Sequence, residues 1–199
     1  MEQTKKTSSK TLTNFRRKIS CYEFSFLEFL AVKFTFFYRL LMNWRTSVFL
    51  REITEAKITA SDKVLHMGCG TLPSASIFIA EHCKAHVVGI DNNKTAVRLA
   101  RDYISKKGLG EWITIEYGDG ASYPLADFDV IFIAINVWPI DTVLRHIAQH
   151  GKNKVRIICK DVKDDIPPLI ATEEFRDIFS IVHTIQHERS QSLLLEKTT

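Results

Sequence analysis

The sequence predicts a doubly wound α/β domain with a seven-stranded sheet, five strands parallel and two in a C-terminal antiparallel hairpin, behind a helical N-terminal segment. Three observations predict it. From Ser61 onward, apolar runs short enough to be strands alternate with helical segments. The last two strand-like runs are separated only by Glu188–Gln191, too short a link for a parallel crossover, which needs a dozen residues or more. Between Asn14 and Lys57 there is no Pro or Gly, which favours helix.

Taken in order, residues 1–13 are rich in Thr, Ser and Lys and read as a flexible tail. Residues 14–60 form the helical segment. Asn14 is placed to cap a helix starting at Phe15-Arg16-Arg17, and a break near Met42-Asn43-Trp44 would divide the segment in two. Phe24–Met42 holds seven aromatics but also Glu28, Lys33 and Arg39. Each charge at a bilayer centre costs about 2.5–3.5 kcal/mol, so a membrane span is disfavoured. The expectation is a lid, with Phe26, Phe29, Leu30 and Phe37 buried against the α/β domain or a sister subunit. Membrane-surface contact and homodimerisation through these helices are the partner modes it allows.

Residues 61–199 carry the α/β pattern. Lys63–Met67, His86–Ile90, Trp112–Tyr117, Phe128–Ile135 and Val155–Lys160 read as the parallel strands. Phe128–Ile135 is nearly continuous in apolar residues, as a strand buried on both faces should be. Ser74–His82, Lys94–Lys107, Asp141–His150 and Ala171–Phe179 read as helices, and Ser180–His187 and Ser192–Lys197 as the hairpin.

Composition narrows the function. Residues 1–62 carry 11 Lys and Arg against 6 Asp and Glu, whereas residues 63–199 carry 16 against 17. A nucleic-acid enzyme usually shows a basic face near its site, so a nearly neutral main domain disfavours nucleic acid and favours a small-molecule substrate. Cys21, Cys69, Cys83 and Cys159 form no C-x-x-C pair, and no His/Cys cluster has zinc spacing. A cytoplasmic protein with reduced thiols and no metal is expected.

The chemistry gathers at strand ends. Val64–Met67 runs into Gly68-Cys69-Gly70-Thr71-Leu72-Pro73, where the glycines permit a tight turn and close approach to a ligand. The helix that follows offers unpaired N–H groups, and Pro73 suits its first turn. Asp91 directly follows the second strand, 21 residues past Gly70, close to the interval for a carboxylate that accepts from ribose hydroxyls. It could instead cap the next helix, a task Asn92 or Asn93 could share. Gly118-Asp119-Gly120 forms a tight turn after strand three, where Asp119 could accept from an exocyclic adenine amine. Asn136, past the central strand, would point into the same crevice. Asp161 ends strand five at the same edge and, with Asn136 and Tyr123, is a candidate on the substrate side. His66 reads as a core residue, and His183 and His187 as surface positions.

Glycine loop, strand-two carboxylate, Gly-Asp turn and terminal hairpin together resemble the class I S-adenosylmethionine (SAM)-dependent methyltransferase superfamily, over about 140 residues. The resemblance implies a Rossmann-like methyltransferase fold, SAM as cofactor, and a binding set of Gly68, Cys69, Gly70, Pro73, Asp91, Asn92, Asp119 and Asn136. Gly70-Thr71-Leu72-Pro73 with the apolar helix Ile77–Ala80 is also similar to the loop of nicotianamine synthases, which transfer an aminobutyrate group from SAM. Methyl transfer to a small molecule is the expected activity. Aminobutyrate transfer and a non-catalytic SAM-binding module are the alternatives. The catalytic residue is left open.

Overall fold

The structure, a computed structural model, describes residues 35–162, 164–187 and 190–198, with side chains from Arg45 onward. The expected tail, the Asn14 cap and the burial of Phe26, Phe29, Leu30 and Phe37 lie outside what is described. Seven strands form one sheet in the order β3-β2-β1-β4-β5-β7-β6. They are β1 (Lys63–Met67), β2 (His86–Asp91), β3 (Ile113–Tyr117), β4 (Val130–Ile133), β5 (Arg156–Asp161), β6 (Phe179–Gln186) and β7 (Gln191–Lys197). The first five are parallel, and β7 runs antiparallel between β5 and β6.

The period-two alternation of the strands builds two cores. Val64, Val130, Phe132, Ile158 and Leu194 face one side, where α1 (Thr35–Glu55), α2 (Ser74–Cys83) and α3 (Lys94–Lys107) pack. Leu65, Met67, Ile131, Ile157 and Cys159 face the other, under α4 (Ile140–His150) and α5 (Ile166–Ile170). Strand order reverses between β1 and β4, so the crevice at the carboxyl ends opens there.

Three local expectations are corrected. α1 runs unbroken through Met42-Asn43-Trp44. A single Asn costs only a few tenths of a kcal/mol in a helix interior and breaks nothing without Pro or Gly. No helix spans Ala171–Phe179; the helix lies earlier, at α5, and turns follow it. Pro167 and Pro168 suit its first turn, where no N–H is needed, and the Thr172 hydroxyl then donates to the Leu169 carbonyl at 2.7 Å. β4 is shorter than expected, because Phe128 is buried in the turn ahead of it.

α1 is fastened to the sheet by ions. Arg156 of β5 donates to the carbonyls of Ala56 and Lys57, just past the helix end, at 2.6 and 2.8 Å and pairs with Asp62. Cations there offset the negative helix terminus. Nearer the sheet's carboxyl edge, the fully buried Glu52 of α1 takes Lys160 Nζ of β5 and the Ser192 hydroxyl of β7 on Oε1. Lys160 Nζ also lies over the rings of Phe49 and Phe132, 5.3 and 5.5 Å from their centroids. Removing one partner of a buried pair leaves an uncompensated charge, which costs about 3–5 kcal/mol. Glu52→Ala should therefore lower the urea-unfolding free energy by about 3 kcal/mol or more. Adding Lys160→Met should restore part of that loss; additive losses would show that the two side chains do not act as a pair.

Candidate functional site

One cavity of about 1780 Å³ follows the carboxyl edge of the sheet. Starting at β3, its wall is Gly118–Ala121, then Asp91–Asn93 after β2, then the β1 loop from Gly68 to Leu72. It continues past Ala134–Pro139 after β4 to Lys160 of β5 and Gln186, His187 and Ser190 at the hairpin turn. Arg45, Val48, Phe49 and Arg51 of α1 line it as well. A drug-sized ligand needs roughly 300–1,000 Å³, so the space suits two ligands side by side.

The β1 loop is held by β2. Gly68 N–H and Cys69 N–H both donate to the Ile90 carbonyl, at 2.8 and 3.0 Å. Gly68 and Gly70 have φ of +72° and +68°, which only glycine adopts without strain. A Cβ on Gly68 would stand 2.7 Å from Val137, so a side chain there would fill the space that the loop leaves open. Asp91 Oδ2 accepts from Gly70 N–H and Oδ1 from Asn93 N–H, each at 2.9 Å. The carboxylate thus shapes the loop while a second lone pair on each oxygen stays available. Asn93, not Asn92, caps α3, accepting from Thr95 and Ala96 N–H. Asn92 is exposed and lines the cavity. Asp119 Oδ1 accepts from Ala121 N–H at 2.9 Å, which leaves Oδ2 without a partner among the described residues.

Gly68, Cys69, Gly70, Asp91, Asn92, Asp119 and Asn136 therefore face one space. Three other candidates do not. Pro73 is buried and sits before α2, its carbonyl accepting from Ile77 N–H; Leu72 and Ser74 reach the cavity instead. The Tyr123 hydroxyl donates to Glu116 at 2.8 Å, away from the cavity. Burial, then this bond, pushes its pKa up to about 12. Asp161 is 2% exposed and accepts from Gln191 Nε2 at 3.0 Å and from Asp165 N–H, because β7 covers the end of β5.

His183 is exposed, as expected, but His187 is not a surface residue: its side chain is 11% exposed, and the residue lines the cavity. Sequence reasoning also missed Glu52, Lys160 and Arg45. Arg45 donates to Ser74 Oγ at 2.8 Å, at the first residue of α2. Burial lowers the Lys160 pKa, Glu52 opposes that shift, and Arg45 adds to it. Among the described residues no cluster could hold a metal ion, and no helix is long and apolar enough to cross a membrane.

The topology, with its reversal at β1/β4 and its inserted antiparallel β7, is that of the class I methyltransferase fold. Residues 64–154 match the family model described as a methyltransferase domain. The chain is 35% identical over 79 residues to the sterol 24-C-methyltransferase of Eremothecium gossypii, covering 39% of this chain and 21% of that one. It is 27% identical over 150 residues to methyltransferase GfsG of Streptomyces halstedii, covering 70% of this chain and 53% of that one. It thus spans about a fifth and about half of these curated relatives. An MtNAS variant in complex with S-adenosylmethionine superposes with a TM-score of 0.69 at 18% identity, over 84% of this chain and 69% of that one. An RNA methyltransferase from Salinibacter ruber in complex with S-adenosyl-L-homocysteine gives 0.63 at 16% identity, over 76% and 91%. The chain thus shares the class I methyltransferase fold, and residues 64–154 carry its match to a methyltransferase domain.

His66 makes the site sensitive to acid. Its ring is 4% exposed, bonded through Nδ1 to Ser76 Oγ at 2.8 Å and edge-on to Phe132. Burial, then the charges of Lys160 and Arg45, holds its pKa at about 3. The folded value lies below the unfolded one, so the stability it confers is full above about pH 6.5 and is lost as pH falls toward the folded value. Between about pH 7 and about pH 4.5 this group should remove about 2 kcal/mol of unfolding free energy. Urea titrations of wild type and His66→Gln at both pH values check this; an equal loss in both proteins would refute it.

Proposed function

We propose that the protein is a cytoplasmic SAM-dependent transferase that moves a methyl group to a small-molecule acceptor, with residues 61–199 as the transfer domain and segment 14–60 as its roof. The observation that carries this reading is the division of one cavity into two halves. From β3 to β1, Asp119, Asp91 and the glycine loop suit a hydroxyl-rich nucleoside with an amino-acid arm. From β4 to β7, space remains under α1 for a second molecule.

The residues fit SAM on three counts. Asp91 has acceptor capacity for ribose hydroxyls after its backbone bonds are made. Asp119 Oδ2 is open to an adenine amine. Gly68 leaves backbone bare where a Cβ would collide with Val137. When bound, SAM supplies an electrophilic methyl group on a sulfonium. The chain's part is to hold the two reactants in line, which alone accounts for much of such a barrier. A space roofed by α1 suits a small molecule better than a polynucleotide, and the curated relatives are both methyltransferases.

Aminobutyrate transfer is the second reading. It is favoured by the Gly70-Thr71-Leu72-Pro73 loop and by the likeness to MtNAS over 84% of this chain. Incubation with SAM and a pool of cell metabolites separates the two, since methyl transfer yields S-adenosylhomocysteine and aminobutyrate transfer yields methylthioadenosine. SAM binding without either product would favour a non-catalytic module.

Calorimetry should show SAM binding in the micromolar range, about −8 kcal/mol. Asp91→Ala removes a ribose acceptor and unpins Gly70 together. It should weaken binding by about 1.5–3 kcal/mol, roughly 10- to 150-fold. Unchanged affinity would refute the placement of the ribose at Asp91.

A further inference from the structure

We propose that His187 is the general base of an acceptor site for hydroxyl- or amine-bearing small molecules, built where α1, β5 and the β6–β7 turn close the far end of the cavity. The proposal rests on the transfer reading above and adds the chemistry of the acceptor.

The tautomer of His187 follows from its partners. Ser192 Oγ donates its one proton to Glu52 Oε1. At its second contact, with His187 Nε2 at 3.0 Å, that oxygen can only accept. Nε2 therefore carries the ring proton. It also faces Glu52 Oε1 at 3.9 Å, which favours a proton on that nitrogen. A neutral imidazole has one N–H, so the lone pair resides on Nδ1, which has no partner among the described residues. The residue lines the cavity, beside Gln186, Ser190 and Lys160.

The charge state follows from the surroundings. Glu52, Lys160 and Arg51 are the charged groups that act on the ring. Burial lowers its pKa most, Lys160 lowers it further, Glu52 opposes, and Arg51 lowers it again. The imidazole is neutral at neutral pH and able to accept a proton.

The step balances. A lone pair of the acceptor oxygen or nitrogen forms the bond to the methyl carbon, and the carbon–sulfur pair departs on sulfur, giving S-adenosylhomocysteine. The acceptor's proton passes to His187 Nδ1, and the imidazolium is held by Glu52, directly and through Ser192. A base fixed by a second and a third group follows the logic of activated nucleophiles in general.

Three measurements test it on the full chain. Calorimetry with SAM should give equal affinity for wild type and His187→Gln. If wild type does not bind SAM, the transfer reading itself fails; if only the variant fails to bind, His187 belongs to the cofactor half and the proposal is overturned. Nitrogen-15 histidine spectra at about pH 7 should contain a neutral Nε2–H signal that His187→Gln removes, with a pKa below the usual histidine value. A protonated ring, or the Nδ1–H tautomer, overturns the proposal whether or not any acceptor is turned over. Turnover of SAM with 4-nitrocatechol and with benzylamine as probes is followed as S-adenosylhomocysteine. For a probe that reacts, kcat should rise with pH through the His187 pKa and fall about 100-fold or more in His187→Gln, with the KM for SAM unchanged. Equal kcat in the two proteins would overturn it.

Discussion

A carboxylate with no exposed surface sets the arrangement of this molecule. Glu52 lies on α1, yet its partners are Lys160 on β5 and Ser192 on β7. Burying an ion without a partner costs far more than a fold of this size can absorb, so helix and sheet meet in the one register that pairs them. That register places Phe49 over Phe132 and the Lys160 ammonium between them. It also makes α1 a wall of the cavity and puts two cations near His66, whose ring is kept neutral by burial first and by these charges second. Among the described residues Glu52 Oε2 is buried without a hydrogen-bond partner, so they hold the carboxylate on one oxygen only.

Two aspartates show how topology decides the use of a residue. Asp91 and Asp161 both end parallel strands at the same edge. Beyond β2 the chain turns into α3, and Asp91 is left half-buried against the glycine loop and the cavity. Beside β5 the chain returns antiparallel as β7, in a register that sets Gln191 opposite Asp161. The Gln191 amide caps the carboxylate, and Asp161 becomes a brace between hairpin and loop. The inserted strand, absent from an all-parallel sheet, removes one ligand position and brings Ser192 to this edge, while the turn that precedes it carries His187 to the cavity.

Much of this was legible in the sequence because local chemistry determined it. β1 and α3 fall on the residues read from apolar period alone, and the other strands differ at their ends by one or two residues. The exception, β4, is shorter because an apolar run marks burial rather than pairing. The glycine loop, Asp91 and Asp119 were legible since turn chemistry needs particular residues at particular places. Glu52 left a trace too: it shares the apolar stripe of Phe49, Ile53 and Ala56, where an acid calls for a partner. What no pattern disclosed was the partner, 108 residues away on β5. His187 was misread for a similar reason. Alternation along an edge strand marks a residue as outward, and only the hairpin's position beside α1 turns that direction into the cavity.

The two halves of the cavity fit together through charge. In the proposed reading the half of the cavity from β3 to β1 offers Asp91 and Asp119, a setting suited to a ligand carrying a sulfonium and many hydroxyls. A carboxylate base at the reaction centre would pair with the sulfonium, and methyl transfer would then have to separate or neutralise that pair in a space poor in water. A neutral imidazole avoids this. The positive charge lost at sulfur reappears on the ring, so the net charge of the roofed site is the same before and after the step. In a medium of low dielectric, moving a charge toward Glu52 costs much less than creating one. The same argument explains why Lys160 belongs beside the base. Its charge disfavours a proton on His187 before the reaction, while Glu52 holds the imidazolium that forms. Base and pair form one device, in which the buried carboxylate that fixes the fold also orients the proton acceptor.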